Sequence, residues 1–341
     1  MLSPKDKKNW FSEFLINNAL YFLIIVACIV VAILQPYFLS TVSIINIISL
    51  SAANIPLALG IAGCIILTGT DLSAGRVVGL TACVSASLLQ RSDIANKMFP
   101  QFGALNIVLV IAIAMAIGGL VGFVNGFCVS KFSLHPFIVT LGTQLIVYGT
   151  LLIFLSLGSN NGQAISSSTE EYSKLITGSF VSIADVSIPN YVFFALAFIV
   201  IMWFVWNKTV FGKNMFAVGS NPEAAKVSGV NVAKTITLVF VLAGITYGIT
   251  GFIDGARLGS NSASTGVNYE LDAIAACVIG GVSFVGGIGK IRGVIIGVFL
   301  LRIIFVALSF LGIDTNLTYI IKGLIILVAC AIDMRKYMVK K

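Results

Sequence analysis

An all-α integral membrane protein of about ten transmembrane helices, some of them broken, is the fold class this sequence predicts, and three observations carry the prediction. Hydrophobic residues make up 58% of the 341 positions and charged residues 10%, where a soluble domain carries about a quarter charged. Apolar runs of about twenty residues, the length that lets a helix cross the hydrocarbon core, recur from end to end. The Lys and Arg residues fall unevenly on the two sides of those runs. Arg91, Lys97, Lys174 and Arg257 lie in segments on one side, Arg302 and Lys322 lie within spans, and the remainder of the 21 lie on the side of the N-terminus. The positive-inside rule then puts both termini in the cytoplasm. A net charge of +8 scattered over loop ends argues against nucleic-acid binding.

The spans follow in order. The first, 14–34, comes after the basic "MLSPKDKKNW"; it is too long for a cleaved signal core, lacks a small-residue cleavage site, and runs into "QPYF", so it reads as a retained anchor. Span 46–67 ends at "LTGTDLSAGR", Leu67 to Arg76, a stretch too polar and glycine-rich to remain helical, and 77–90 resumes the helix. Spans 104–127 and 137–157 flank "SLHPF"; the outer loop 158–189 is rich in Ser, Thr, Asn and Gly and reads equally as a solvated connector or as a contact with an extracytoplasmic partner. After 190–206 comes the inner, basic loop 207–232. Spans 234–256, 271–287, 293–311 and 317–332 complete the chain, with "IGGVSFVGGIG", Ile279 to Gly289, interrupting the second of these four. What remains is too little for a separate ATPase, kinase or receptor domain, so residues 1–341 read as one membrane domain. Broken helices at membrane depth survive where protein or a water-filled cavity satisfies the freed backbone, and in transporters they mark the substrate path. Close packing through small residues accounts for glycines as readily. "GLVGFVNG", Gly119 to Gly126, echoes "GITGFIDG", Gly248 to Gly255, with the two running in opposite directions, as in an inverted repeat.

Catalytic constellations are nearly absent. His135 is the one histidine and stands beside a proline, a structural position. "GGIGKI" and "VFGKN" lack the upstream glycine and following hydroxyl of a phosphate-binding loop, so the chain has no ATP site of its own, and no HExxH, GxSxG or paired-carboxylate pattern occurs. The six cysteines sit in apolar segments without metal-ligand spacing and read as small packing residues. No cofactor is expected. A charge at the bilayer centre costs at least about 2.5–3.5 kcal/mol, which singles out Asp71, Asp254, Arg302 and Lys322. Asp71 reads either as a cap for the helix that follows or as a path-lining group. Asp254 is expected to pair with Arg257, three residues on. Arg302 and Lys322 are expected to face the interior and pair there. No connected chain of acids crosses the spans.

"GSNPEAAKVSGV", Gly219 to Val230, is short and polar between long apolar stretches. Asn221 suits the N-cap, Pro222 the first helical position and Gly229 the C′ position. A helix of about seven residues does not hold alone in water, so it reads either as an ordinary loop helix or as a rigid peg that receives force from a soluble partner.

Together, "GTDLSAGRVVGL", "NKTVFGKNMFAVGSNPEAAKVSGVNV", "YELDAIAACVIGGVSFVGGIG" and "YIIKG" resemble the permease subunit of bacterial ABC importers for monosaccharides, a family that includes the ribose and xylose permeases. The resemblance covers nearly the whole chain. It implies an inner-membrane homodimer bedded in lipid that works by alternating access, with a cytoplasmic ATPase subunit that binds the ATP and an extracytoplasmic sugar-binding protein; the cargo implied is galactose, methyl-galactoside or glucose. Asn221, Pro222, Glu223, Ala224, Ala225, Lys226, Val227, Ser228 and Gly229 correspond to the helix that docks on the ATPase. Asn54, Thr70, Asp71, Ser73, Asn125, Ser283 and Phe284 are the candidate path residues, near the two breaks. The alternative is an ion-coupled secondary sugar transporter, which shares the composition, the broken helices and the repeat.

Overall fold

A computed structural model describes residues 26, 29–94 and 97–338. The helices are α1 (Thr41–Ile66), α2 (Ala74–Leu88), α3 (Ile107–Phe132), α4 (Pro136–Leu155), α5 (Glu170–Thr177), α6 (Asn190–Lys208), α7 (Val210–Ser220), α8 (Pro222–Val227), α9 (Val232–Arg257), α10 (Tyr269–Ile279), α11 (Ile291–Phe310) and α12 (Thr315–Met338), with a short 3-10 helix Pro36–Leu39 ahead of α1. Residues 29–34 are helical; most of the expected anchor 14–34, including Cys28, lies outside the described residues. Among the described residues six helices, α1, α3, α4, α6, α9 and α11, are long and apolar enough to cross a membrane, and α2 and α12 contribute shorter apolar helices.

One expected span is found but is too short to cross a bilayer, and another is corrected. Span 77–90 is the 15-residue α2, about 22 Å long at 1.5 Å per residue, short of a hydrocarbon core of about 30 Å. Span 271–287 is not one helix: α10 has 11 residues and stops at Ile279. Gly281 then turns the chain at φ +81, and 280–290 carries no regular structure. Both shortfalls have the same cause, since the missing helical length is replaced by the glycine-rich segments that precede α2 and follow α10.

The all-α expectation is corrected in the 158–189 loop, which is folded. Strand β1 (Ile165–Ser166) pairs antiparallel with β4 (Ser260–Asn261), Ile165 opposite Asn261, and β2 (Ser179–Ile183) forms a hairpin with β3 (Val186–Pro189). Every residue of β2 is exposed, so no alternation existed to reveal it. Helix α5 buries Tyr172 and Ile176, and the Tyr172 hydroxyl donates to Phe252 O on α9.

Helices α1 and α9 form the interior and α3 packs along α9. The buried positions of α3 are Val110, Ala114, Gly118, Gly122, Asn125, Gly126 and Val129, a stripe spaced mostly by four that makes one ridge of the helix. A Cβ at Gly118, Gly122 or Gly248 would stand 2.0, 2.1 and 2.3 Å from the carbonyl oxygens of Gly244, Phe240 and Ala114, so the two helices run antiparallel with backbones in contact. On its other side Val108, Leu109, Leu120 and Phe123 are exposed, an apolar surface suited to lipid. Leu57, Leu59, Ile61 and Ile65 of α1 and Phe240 and Tyr247 of α9 are completely or almost completely buried.

The connections gather at two ends. At one, Arg91 N donates to Ser167 O and Thr169 N to Leu89 O, while Gln90 Nε2 donates to Ser166 O. At the other, Gly287 N donates to Ile66 O at 2.8 Å, and a Cβ at Gly69 would lie 3.1 Å from the Pro136 ring. Segments that the charge count assigns to one side therefore meet one another, with one exception. Arg76, counted as inner, turns into the protein, where Nη1 donates to Ala263 O and the guanidinium lies 4.0 Å from the Tyr148 ring centre.

Candidate functional site

The segment Asn221 to Gly229 forms a helix with both ends closed. Asn221 is extended, at φ −160 and ψ 103, and its Oδ1 accepts from Ala224 N at 3.0 Å. Pro222, at the first helical position, has no N–H to leave unsatisfied. At the far end Gly229 N donates to Lys226 O and Val230 N to Ala225 O, both at 3.0 Å, with Gly229 at φ +85. This pair of bonds is the Schellman motif. Ser228 Oγ adds a bond to Ala224 O at 2.9 Å. Ala225 is the one buried residue of α8, 4% exposed, and Val227 is 89% exposed. A six-residue helix with no apolar face of its own is held by its caps and by α7 beneath it. Glu223 and Lys226 line an open groove of about 640 Å³, whose other wall is the end of α3 and its loop, from Val129 to Leu134.

The break after α1 builds a buried polar cluster. Asp71, Ser73 and Asn125 are each 0% exposed. Asp71 Oδ1 accepts from Ser73 N at 2.9 Å and from Ser73 Oγ at 2.6 Å, and Asn125 Nδ2 donates to Ser73 Oγ at 3.0 Å. Thr140 fastens the same turn from α4: its Oγ1 donates to Thr70 O at 3.3 Å and accepts from Leu72 N at 3.1 Å. Asp71 thus organises the turn that starts α2, and it does so through Ser73 rather than by bonding the helix N–H groups itself. Tyr247, from the middle of α9, is fully buried and faces Asp71 and Cys64. Four of the sequence-nominated path residues, Thr70, Asp71, Ser73 and Asn125, therefore meet in one cluster.

The other three stand elsewhere. Asn54 is 8% exposed, donates to Leu50 O at 2.8 Å, and borders a cavity of about 10 Å³ with Asp272 and Arg302. Ser283 and Phe284 belong to the turn after α10, where Ser283 N donates to Ile288 O at 3.1 Å and its Oγ accepts from Val285 N at 3.2 Å. Ser283 is buried, and Phe284 packs on the core.

Two of the four intramembrane charges, Asp254 and Lys322, sit in ion pairs, whereas Arg302, expected to pair in the interior, is in no ion pair among the described residues, and that expectation is corrected. Arg257 Nε lies 2.7 Å from Asp254 Oδ1, as expected of that spacing. Lys322 Nζ lies 3.0 Å from Asp272 Oδ1 and 4.3 Å from the centre of the Phe305 ring, an interior pairing whose acid had not been singled out. The guanidinium of Arg302 lies 5.9 Å from the Phe305 ring centre. Glu270, 5% exposed, was also missed; its Oε2 lies against the first turn of α2, where a Cβ on Gly75 would come within 2.1 Å. The one sequence signal for both acids is their place in the first turn of α10, where the helix dipole favours negative charge. His135 is the N-cap of α4, with Nδ1 accepting from Phe137 N at 3.3 Å. Cys64, Cys83 and Cys277 are buried free thiols.

At the opposite end of the molecule, Arg91, Asp93, Ser168, Glu170, Glu171 and Ser173 line an open cavity of about 760 Å³. Lys174, 2.7 Å from Glu170, holds that carboxyl below its ordinary value, and Arg91 does the same for Asp93.

Compared with known proteins, residues 43–330 match the family model described as branched-chain amino acid transport system / permease component. The chain is 43% identical over 340 residues to the galactose/methyl galactoside import permease protein of Escherichia coli strain K12, covering 100% of each. It is 42% identical to the protein of that name from Haemophilus influenzae, over 98% of this chain and 99% of the relative. To the ribose import permease protein of Escherichia coli K12 it is 31% identical, over 92% of each. No solved structure matches. A family match spanning both breaks and the capped helix, with full-length relatives on every side of it, establishes that this chain belongs to the permease-component family of bacterial transport systems.

Proposed function

We propose that this chain is the membrane-spanning permease subunit of an ATP-binding cassette importer in a bacterial inner membrane, and that its cargo is a monosaccharide of the galactose, methyl-galactoside or glucose type. The full-length identity to the galactose/methyl galactoside import permease carries the proposal. The family model is described by branched-chain amino acids, but the relatives that align over the whole chain are named for sugars. Import on an ion gradient, the alternative open to the sequence, gives way to that kinship.

The chain supplies the path and a separate cytoplasmic subunit supplies ATP hydrolysis. Helix α8, exposed and rigidly capped, is the part of the 207–232 loop that seats on the ATPase. Two copies pair in the bilayer, each with about ten spans, both termini cytoplasmic and lipid around the apolar faces of α3, α4 and α6. The folded 158–189 loop, with the neighbouring acid–base pairs, receives the sugar-binding protein. On ATP binding the α8 helices follow the closing ATPase halves and the two permease chains rock between inward- and outward-open forms. Thr70, Asp71, Ser73, Asn125, Ser283 and Phe284 lie along or support the path at the two breaks, and Asn54 lies along it within α1.

The test is purification of the tagged chain from membranes, followed by reconstitution. Co-purification with an ATPase subunit, and hexose uptake that needs ATP and the binding protein, is the expected result. Uptake by the chain alone on an ion gradient overturns the proposal. Within the complex, Glu223→Arg is expected to lower sugar-stimulated ATP hydrolysis while the permease stays folded.

A further inference from the structure

Three segments distant in sequence meet backbone to backbone at the corner between α7 and α8. A Cβ on Gly219 would lie 1.9 Å from Ile66 O and 2.9 Å from Gly287 N, and Gly287 N donates to that same Ile66 O at 2.8 Å. A Cβ on Gly286 would lie 2.3 Å from Gly219 O and 2.3 Å from Thr68 Cγ2; one on Gly287 would lie 2.8 Å from both Cα and Cβ of Ser220. Thr68 has φ +62, a conformation that costs a residue with a side chain and so is held by its surroundings, while Gly286 and Gly287, at φ +92 and +67, adopt theirs without that cost. Ile66 ends α1, Gly219 and Ser220 immediately precede the N-cap of α8, and Gly286 and Gly287 lie in the turn after α10.

The geometry points to this corner as the transmission between α8 and the two breaks, with Gly219 and Gly287 as its positioning residues. The inference rests on the reading of α8 as the helix moved by the ATPase. Interlocked backbone has no side-chain rotamers to absorb a displacement, and close-packed protein is nearly incompressible. A push on α8 that shifts Ser220 therefore carries Thr68 with it, three residues before Asp71, and carries Gly286, three residues after Ser283. One input thus moves both broken segments together. A corner joined through flexible side chains would let α8 move while the breaks stayed in place.

The test uses the complex reconstituted with its ATPase and binding protein and counts sugar molecules moved per ATP hydrolysed. Gly287→Ala and Gly219→Ala are expected to lower that ratio at least tenfold while the ATPase still co-purifies and still hydrolyses ATP. Gly142→Ala, on α4 with open space around it, is expected to leave the ratio unchanged. An unchanged ratio in the two corner variants overturns the inference and leaves the role of α8 intact, whereas a wild-type chain that binds no ATPase removes the reading beneath both. Where the corner variants fail to accumulate, hydrogen exchange on the wild-type complex decides. The Gly287 amide is expected to stay protected with and without bound nucleotide, and a more than tenfold faster exchange in one state shows that the corner separates and overturns the inference.

Discussion

A Cβ at Gly118 would stand 2.0 Å from the carbonyl oxygen of Gly244, and a Cβ at Gly244 would stand 2.0 Å from that of Gly118. The reciprocity is what two antiparallel helices produce where a local two-fold passes between them. It falls within α3 and α9, the helices that carry the echoing "GLVGFVNG" and "GITGFIDG". Lipid supplies no hydrophobic drive for helix pairing, so contact at this range is what joins the two helices. Gly118→Ala is expected to destabilise the folded chain by about 1–3 kcal/mol, the cost of overpacking. Gly142→Ala, in the interior of α4 with nothing near its Cβ, is expected to stabilise by about 0.5–1 kcal/mol. Thermal unfolding in detergent reads both signs, and a neutral Gly118→Ala would show that the helices stand further apart.

Asp71 holds its turn through one oxygen, which accepts from both the amide and the hydroxyl of Ser73. Asp71→Asn keeps a carbonyl oxygen in that place and is expected to fold with a loss under about 1.5 kcal/mol, whereas Asp71→Ala strands two buried donors at about 1–3 kcal/mol each. Stability measured beside uptake separates this anchoring role from a path role. An Asn variant as stable as the wild type but unable to transport assigns the carboxylate to the path. Equal damage from Asn and Ala would contradict the hydrogen-bond account.

Lys322 and Asp272 form an interior ion pair with side chains 22% and 13% exposed. Removing one partner leaves the other charge uncompensated, so Lys322→Met is expected to cost about 3–5 kcal/mol, and the double variant Lys322→Met with Asp272→Leu distinctly less. The comparison is made on the unfolding midpoints of the two variants. A double variant worse than the single one would mean that the pair contributes more than mutual neutralisation.

At the opposite end, the neighbouring cations hold Glu170 and Asp93 ionised below the ordinary carboxylate range. A lowered folded value means that the pairs persist above it and are lost only as pH falls through it. Stimulation of ATP hydrolysis by the binding protein is therefore expected to be flat from about pH 5 upward as far as these two groups are concerned. It is expected to weaken with added salt, because exposed pairs are screened. A step in stimulation near neutral pH that disappears in Glu170→Gln would contradict this.

How far the sequence revealed the architecture depended on the kind of signal each element carries. The long helices were legible because lipid imposes a length and a composition, and α8 was legible because Asn221, Pro222 and Gly229 each satisfy a distinct local need. The half-length of α2 and α10 was partly legible, since glycine announces a break without saying how much chain leaves the helix. The β2–β3 hairpin in 158–189 was illegible because its strands pair through backbone and every residue of β2 is exposed. In the site, Asp71 stood out as a charge among apolar residues. Thr140, which bonds the residues on either side of Asp71, and Tyr247, which faces it, did not: each is an ordinary residue within an apolar span, and only the packing of α4 and α9 onto the break brings them near it. Asp272 was hidden for a related reason, as an acid in a first helical turn already has a local explanation.

The last prediction concerns α8 itself. Gly229 has φ +85 and nothing within 4 Å of its missing Cβ, so Gly229→Ala meets no clash and feels only backbone strain, about 1–2 kcal/mol. Asn221→Ala removes the single side-chain bond to Ala224 N, at about 0.5–2 kcal/mol. With Ala225 alone buried, the chain's global stability hardly depends on α8, so the unfolding midpoint of either variant is expected to stay close to that of the wild type. Local order carries the whole loss: α8 frays, and under the proposed docking the ATPase has to order it again. Two caps lost together are expected to weaken association with the ATPase by about ten- to a thousandfold, which titration of the ATPase against the reconstituted permease measures. Undiminished affinity in the double variant would mean that α8 is shaped by its partner rather than by its own caps.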